Sequence, residues 1–213
     1  MPVLYSFRRC PFAMRTRLTL MRSDIGVEFR EILLKDKPEA MLAISGKGTV
    51  PVLQLPGGHV IDESIEVMRW ALSQSDPEHW LSADPGLTRL LIEENDGSFK
   101  NALDRYKYSS RYPEHSQQYY RTQGEAFLNK LEAQLALHEG KGLIRPSTSL
   151  ADIAIFPFVR QFAGADADWF ESCDYALVRQ WLEEHVNAPA FLRIMKKYPL
   201  WRSGDTPYIE RWS

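Results

Sequence analysis

At 213 residues the chain can form one large domain or two modest ones, and either buries a real core. Hydrophobic residues make up 44% and charged residues 25%, the balance of a globular protein. The formal net charge of -2 gives no global basic field for nucleic acid or a membrane surface, and no apolar run reaches bilayer-spanning length.

The amino terminus "MPVLYSF" lacks the basic segment, apolar run and cleavage site of a secretory signal, so the cytoplasm is the expected location. Thiols there are normally reduced, which makes a structural disulfide from two cysteines unexpected. "VLYSF" (Val3 to Phe7) predicts a strand, and Pro11 suits the first position of a helix running to about Ser23. "VEFREILL" (Val27 to Leu34) predicts a second strand, "PEAMLAIS" a short irregular helix and "VPVLQL" a third strand. "LPGGHVI" supplies a Pro-Gly turn and a fourth strand, antiparallel to the third. "ESIEVMRWALSQ" predicts an amphipathic helix with Ile65, Met68, Trp70 and Leu72 on its apolar side. The helix between the first two strands requires them to be parallel.

A polar, proline-punctuated stretch, about 75–84, predicts a linker. Beyond it strand signals vanish. Helices are predicted from Leu87 to about Tyr108, Gln117 to His138, Leu150 to Ala163, Tyr175 to Val186 and Ala190 to Lys197. The expectation is a small α/β domain over 1–78 and an all-helical domain over 85–213.

Cys10 lies where the first strand gives way to the first helix. The first-turn N–H groups there carry partial positive charge. Arg8, Arg9, Arg15 and Arg17 add full charges nearby in sequence, and no Asp or Glu precedes Asp24. Both effects favour thiolate over thiol: an unperturbed thiol is about 3% ionised at pH 7, and one lowered by roughly two units is mostly ionised. A buried, inert cysteine at a helix start is the alternative. In "GTVPVL" the Val50-Pro51 bond enters a strand, either as a plain boundary or as a cis bond. "DES" (Asp62 to Ser64) opens a helix, where Ser64 could cap the helix or, with the free N–H groups, hold a carboxylate.

"CPFAMRTRL", "LLKDKPEA", "GTVPVL" and "DES", in this order and at these separations, resemble the glutathione transferases, and within them the omega-type, cysteine-dependent class. "STSLADIAIF" (Ser147 to Phe156) resembles the family's helix-opening motif in the second domain, with Ser149 as cap and Asp152 reaching back to backbone N–H groups. The resemblance implies a thioredoxin-like amino-terminal domain with a mixed four-stranded sheet, followed by an all-α domain. It implies glutathione as co-substrate, with Cys10 carrying the glutathione sulfur as a mixed disulfide. The Val50 backbone, held by a cis Pro51, would pair with the cysteinyl part like an added strand. Glu63 would take the γ-glutamyl ammonium, Ser64 its carboxylate and Lys37 the glycyl carboxylate, with Phe12 and Leu34 lining the pocket. A homodimer is expected by analogy.

Ala13 stands where a two-cysteine redox motif has its second sulfur, so a monothiol cycle resolved by free glutathione is expected. Deglutathionylation, dehydroascorbate reduction and removal of glutathione from an aryl ketone adduct use the same parts. Cys173, in "FESCDYALV", has nothing beside it that suggests a resolving thiol. Tyr106, Arg111 and Trp169 are candidates for a co-substrate pocket; tyrosines at helical spacing also serve as core. The five histidines lack metal-ligand spacing, so no metal is expected, and no helix carries a basic-aromatic stripe for nucleic acid. "SGKGT" lacks the first glycine and following helix of a phosphate loop. The rival reading is a transferase-shaped binding or regulatory protein without turnover, resembling the stringent starvation proteins or the intracellular chloride-channel-like proteins.

Overall fold

The computed structural model describes residues 1–212. Contacts divide the chain into two compact units, one of Met1–Pro77 with the chain from Pro189 onward, the other of Glu78–Ala188.

In the first unit, β1 (Val3–Ser6), α1 (Pro11–Arg22), β2 (Val27–Glu31), α2 (Glu39–Leu42), β3 (Val52–Gln54), β4 (Val60–Ile61) and α3 (Ser64–Gln74) follow the predicted order. β1 pairs in parallel with β2, Leu4 opposite Phe29, and antiparallel with β3, Leu4 opposite Leu53. β3 and β4 form the predicted hairpin. β2 stops at Glu31, short of the predicted Leu34, because Leu33 to Asp36 turns back on itself. The buried face of α3 is Val67, Met68, Ala71 and Leu72. Ile65 and Trp70, predicted on that face, are only half-buried.

The sheet has five strands rather than the predicted four, in the order β4-β3-β1-β2-β5. β5 (Ile209–Glu210) pairs antiparallel with β2 and closes its outer edge. α10 (Pro189–Ile194) packs on α1, and the Trp212 indole N–H donates to the Ile25 carbonyl at 2.9 Å. The described residues from Pro189 to Trp212, expected in the helical domain, thus cluster with the sheet.

The second unit contains α4 (Pro85–Glu94), α5 (Lys100–Lys107), α6 (Gln117–Leu137), α7 (Leu150–Ala163), α8 (Ala167–Ser172) and α9 (Ala176–Asn187). The single helix predicted from Leu87 to Tyr108 is interrupted by a wider π-type turn at Asn95–Phe99, where Asn-Asp-Gly-Ser supplies four weak helix formers. α8, six residues long, carries too little periodicity to read from sequence. The predicted linker is largely part of this unit: Trp80 is 2% exposed, and Arg145 donates to Ser82 Oγ (2.6 Å) and the Glu78 carbonyl (3.1 Å). Phe99, Tyr106, Phe127 and Phe162 form an aromatic core with ring centroids 4.8 to 5.3 Å apart. Among the described residues no helix is long and apolar enough to cross a membrane.

Candidate active site

Cys10 is the N-cap of α1, with extended backbone (φ -76, ψ 123) and Pro11 next. Pro11 is preset for the helix and lacks an N–H that would otherwise go unsatisfied. The Cys10 side chain makes no capping bond, and the first turn holds no acid. The sulfur is therefore left at the positive end of the helix. It is half-buried against Tyr5, Ala13, Ile32, Met41, Val50 and Val52, and donates weakly to the Val50 carbonyl at 3.7 Å. The Val50-Pro51 peptide is cis, and both residues are buried.

The four arginines near Cys10 in sequence divide in space. Arg9 is exposed, its guanidinium 5.6 Å from the Phe7 ring centroid. The Arg8 N–H donates to Glu31 Oε1 at 2.7 Å. Arg17 is fully buried and donates to Ser6 Oγ (2.7 Å) and the Arg8 carbonyl (2.8 Å). Loss of water lowers Arg17 to about 10, while the nearby Glu31 carboxylate and Cys10 sulfur pull the other way. Burial likewise pushes Glu31 up, opposed by the Arg8 N–H and the Arg17 charge. Arg15, also buried, turns away to Ser64: its Nε and Nη2 donate to Ser64 Oγ at 3.1 and 2.8 Å. Phe12 is half-buried beneath the Arg15 guanidinium, 5.0 Å from centroid to carbon.

Glu63, not Ser64, is the N-cap of α3; Ser64 is the first helical residue, 4% exposed, so the plain capping-serine alternative does not hold. Glu63 is exposed and pairs with Lys47 at 2.5 Å. Lys47 also bonds Asp62 at 2.9 Å, and two carboxylates push this ammonium up. Asp62 is held down by the Ser45 hydroxyl and by Lys47. Leu34 and Lys37 are exposed; a methyl at Gly48 would lie 3.4 Å from Lys37 Nζ, which places that amine beside the loop leading to Val50.

In the second unit Tyr106 is 1% exposed and packed on Phe162, which makes it a core residue. Trp169 is half-buried, with Phe162 on one side (6.1 Å) and the Arg121 guanidinium over its ring (4.5 Å). Arg111 is exposed over Tyr108, at 4.7 Å. Cys173 donates to the Phe170 carbonyl at 3.0 Å, the bond of a packed thiol. Ser149 and Asp152 meet as the sequence suggests: Asp152 Oδ2 accepts from the Ser149 N–H (2.9 Å) and hydroxyl (2.6 Å). Among the described residues no His, Cys, Asp and Glu group is arranged to hold a metal. A cavity of about 620 Å³ lies on the first unit, lined by Phe29, Tyr198, Trp201 and Tyr208, and includes none of the site residues named from sequence.

Arg15, Arg17, Glu31 and Lys47 are the residues whose site contacts the sequence did not reveal. Arg15 and Arg17 were visible as charges, but not their partners. Lys47, in the discarded "SGKGT", gave no signal at all.

A thioredoxin-like sheet with a cysteine at the first helix tip, next to a cis-proline loop, defines the class. Residues 4–79 match the family model of the glutathione S-transferase N-terminal domain. This segment is 41% identical over 81 residues to glutathione S-transferase omega-1 of Rattus norvegicus, covering 38% of this chain and 33% of the relative. It is 37% identical over 76 residues to glutathione S-transferase DHAR2 of Arabidopsis thaliana, covering 36% of this chain and 35% of the relative. The matches thus span about a third of each curated relative's length. In fold, the chain is similar to glutathione transferase Omega 3C from Trametes versicolor, with a TM-score of 0.73 at 21% identity over 93% of this chain and 90% of that one.

Proposed function

We propose that the protein is a glutathione-dependent thiol transferase or reductase of omega-like type, with Cys10 as nucleophile. The observation that carries this reading is the Cys10 sulfur, partly open to solvent at the α1 N-cap, beside the Val50 carbonyl. The helix terminus favours the thiolate, the form that attacks disulfides. The thiolate attacks the glutathionyl sulfur of a mixed disulfide; the Cys10–glutathione bond forms and the substrate leaves as its thiolate. A second glutathione thiolate then attacks that bond, giving glutathione disulfide and free Cys10. Electrons balance: the transferred glutathionyl sulfur stays at the disulfide level, the second glutathione's thiol is oxidised to join it, and the substrate sulfur is reduced to a thiol.

Val50 pairs with the cysteinyl backbone, Ser64 receives the γ-glutamyl carboxylate and Glu63 its ammonium, Lys37 the glycyl carboxylate, with Phe12, Leu34 and Pro51 as walls. For Glu63 this requires sharing its carboxylate with Lys47 or leaving it. Arg111 and Trp169 remain candidates for co-substrate contact, each with an accessible face; Tyr106, packed in the core on Phe162, does not. The division into a glutathione-binding unit and a helical co-substrate unit, the homodimer and the cytoplasmic setting belong to the same reading.

Incubation with glutathione disulfide followed by mass spectrometry tests it. The expected product is one glutathionyl adduct on Cys10, with thiol transferase activity lost in Cys10→Ser. An unmodified Cys10, or full activity in Cys10→Ser, overturns the mechanism. Glutathione binding without turnover favours the binding-protein alternative.

A further inference from the structure

A serine oxygen has two acceptor positions and one hydrogen to donate. In Ser64 both acceptor positions are taken by a single guanidinium, Arg15 Nε at 3.1 Å and Nη2 at 2.8 Å. The hydroxyl is left able only to donate, and no described residue accepts from it. Ser64 is 4% exposed and Arg15 1%, so bulk water does not freely exchange these bonds. A buried donor without an acceptor costs about 1–3 kcal/mol, recovered when a ligand supplies one. The free first-turn N–H groups of the eleven-residue α3 favour the same kind of ligand group, an anion.

We propose that Arg15 is a positioning residue that fixes Ser64 as a one-way donor and so makes this subsite selective for a carboxylate. The inference rests on the glutathione reading above, in which that carboxylate is the one on the γ-glutamyl α-carbon. Without Arg15 the hydroxyl can rotate and accept as well as donate, and the subsite loses both its fixed hydrogen and the nearby cation. Arg15→Lys keeps the charge but offers a point donor in place of a fork, so it restores part of the selectivity.

The test compares reduced glutathione with γ-aminobutyryl-cysteinylglycine, the same tripeptide without that carboxylate. Binding of each to the full chain is measured by calorimetry under reducing conditions, and thermal melting confirms that each variant is folded. The wild type is expected to prefer glutathione. In Arg15→Met and in Ser64→Ala that preference falls about tenfold or more, the analogue's own affinity changing by less than about twofold. Arg15→Lys lies between. The double variant shows no further loss, because the two residues act through one contact. Equal weakening of both ligands, or an unchanged preference, overturns the assignment. If Arg15→Met does not fold, Arg15→Lys decides by the same preference ratio. Failure of the wild type to bind glutathione overturns the glutathione reading and this inference together; binding with a ratio indifferent to Arg15 overturns this inference alone.

Discussion

Arg17 Nη2 donates to the Arg8 carbonyl at 2.8 Å, which pins the loop two residues before Cys10 onto the helix that Cys10 caps. The same guanidinium holds Ser6 at the end of β1 and lies near the buried Glu31 carboxylate. Arg17→Met leaves the Ser6 hydroxyl and the Arg8 carbonyl without their donor and removes a cation near Glu31. The expected loss is about 1–3 kcal/mol of folding stability by denaturant unfolding. In the fraction still folded, alkylation of Cys10 by iodoacetamide at neutral pH is expected to slow, since the loop is released and a nearby cation is gone.

Glu31 makes stability depend on pH. Its folded value lies above the ordinary 4.5, because burial penalises the charge, so the folded state holds the proton more tightly than the unfolded chain. The resulting stabilisation is fully present below about pH 4.5 and is lost as pH rises through the raised value. Wild type is therefore expected to lose stability relative to Glu31→Gln as pH is raised from about 4.5 to 7. Paired urea titrations at the two pH values check the slope, and a difference constant with pH contradicts it.

Gly124 on α6 faces the Phe162 ring, and a methyl there would collide with the ring edge. That ring is 0% exposed and hemmed by Phe99 and Tyr106, so it has no room to swing. Gly124→Ala gains up to ~1 kcal/mol of helix propensity yet is expected to lose about 1–3 kcal/mol overall. Phe162→Leu in the Gly124→Ala background is expected to recover part of the loss, read from the thermal midpoints.

Asp152, fully buried, accepts four hydrogen bonds: two from Ser149, one from the Leu143 N–H and one from the Trp181 indole, the last two at 2.9 Å. This one carboxylate joins the start of α7 to the preceding loop and to α9. Asp152→Ala orphans all of those donors and is expected to cost about 3–5 kcal/mol in chemical unfolding. Trp181→Phe removes one bond and part of a ring, for about 1–3 kcal/mol.

Periodicity made most elements legible. The strand-helix-strand-helix-strand-strand-helix order of the first unit follows from alternation, Pro11 and the Pro-Gly turn. β5 was not legible: two residues, Ile209 and Glu210, carry no pattern, and their partner strand lies far back in the chain. Trp80 and the stretch around it read as linker because prolines and charges surround it; burial of the indole decided otherwise. On α3 two apolar stripes compete, and packing chose Val67 and Ala71 over Ile65 and Trp70. Tyr106 was readable as either core or pocket, and its neighbour Phe162 fixed it as core.

The sequence by itself determined that a cysteine would stand before Pro11 at a helix tip without acidic neighbours, and that Ser64 would stand at the start of the helix after the fourth strand. Those are local facts, set by residue type and spacing. Only the tertiary structure decided what the arginines do. Arg15 and Arg17 are two residues apart on α1, so at 3.6 residues per turn they leave the helix on different sides. One meets Ser64, 49 residues on, and the other Ser6 and the Arg8 carbonyl behind Cys10. These partners are brought together by the packing of α1 on α3 and by the Arg17 bond to the end of β1, which no local spacing encodes.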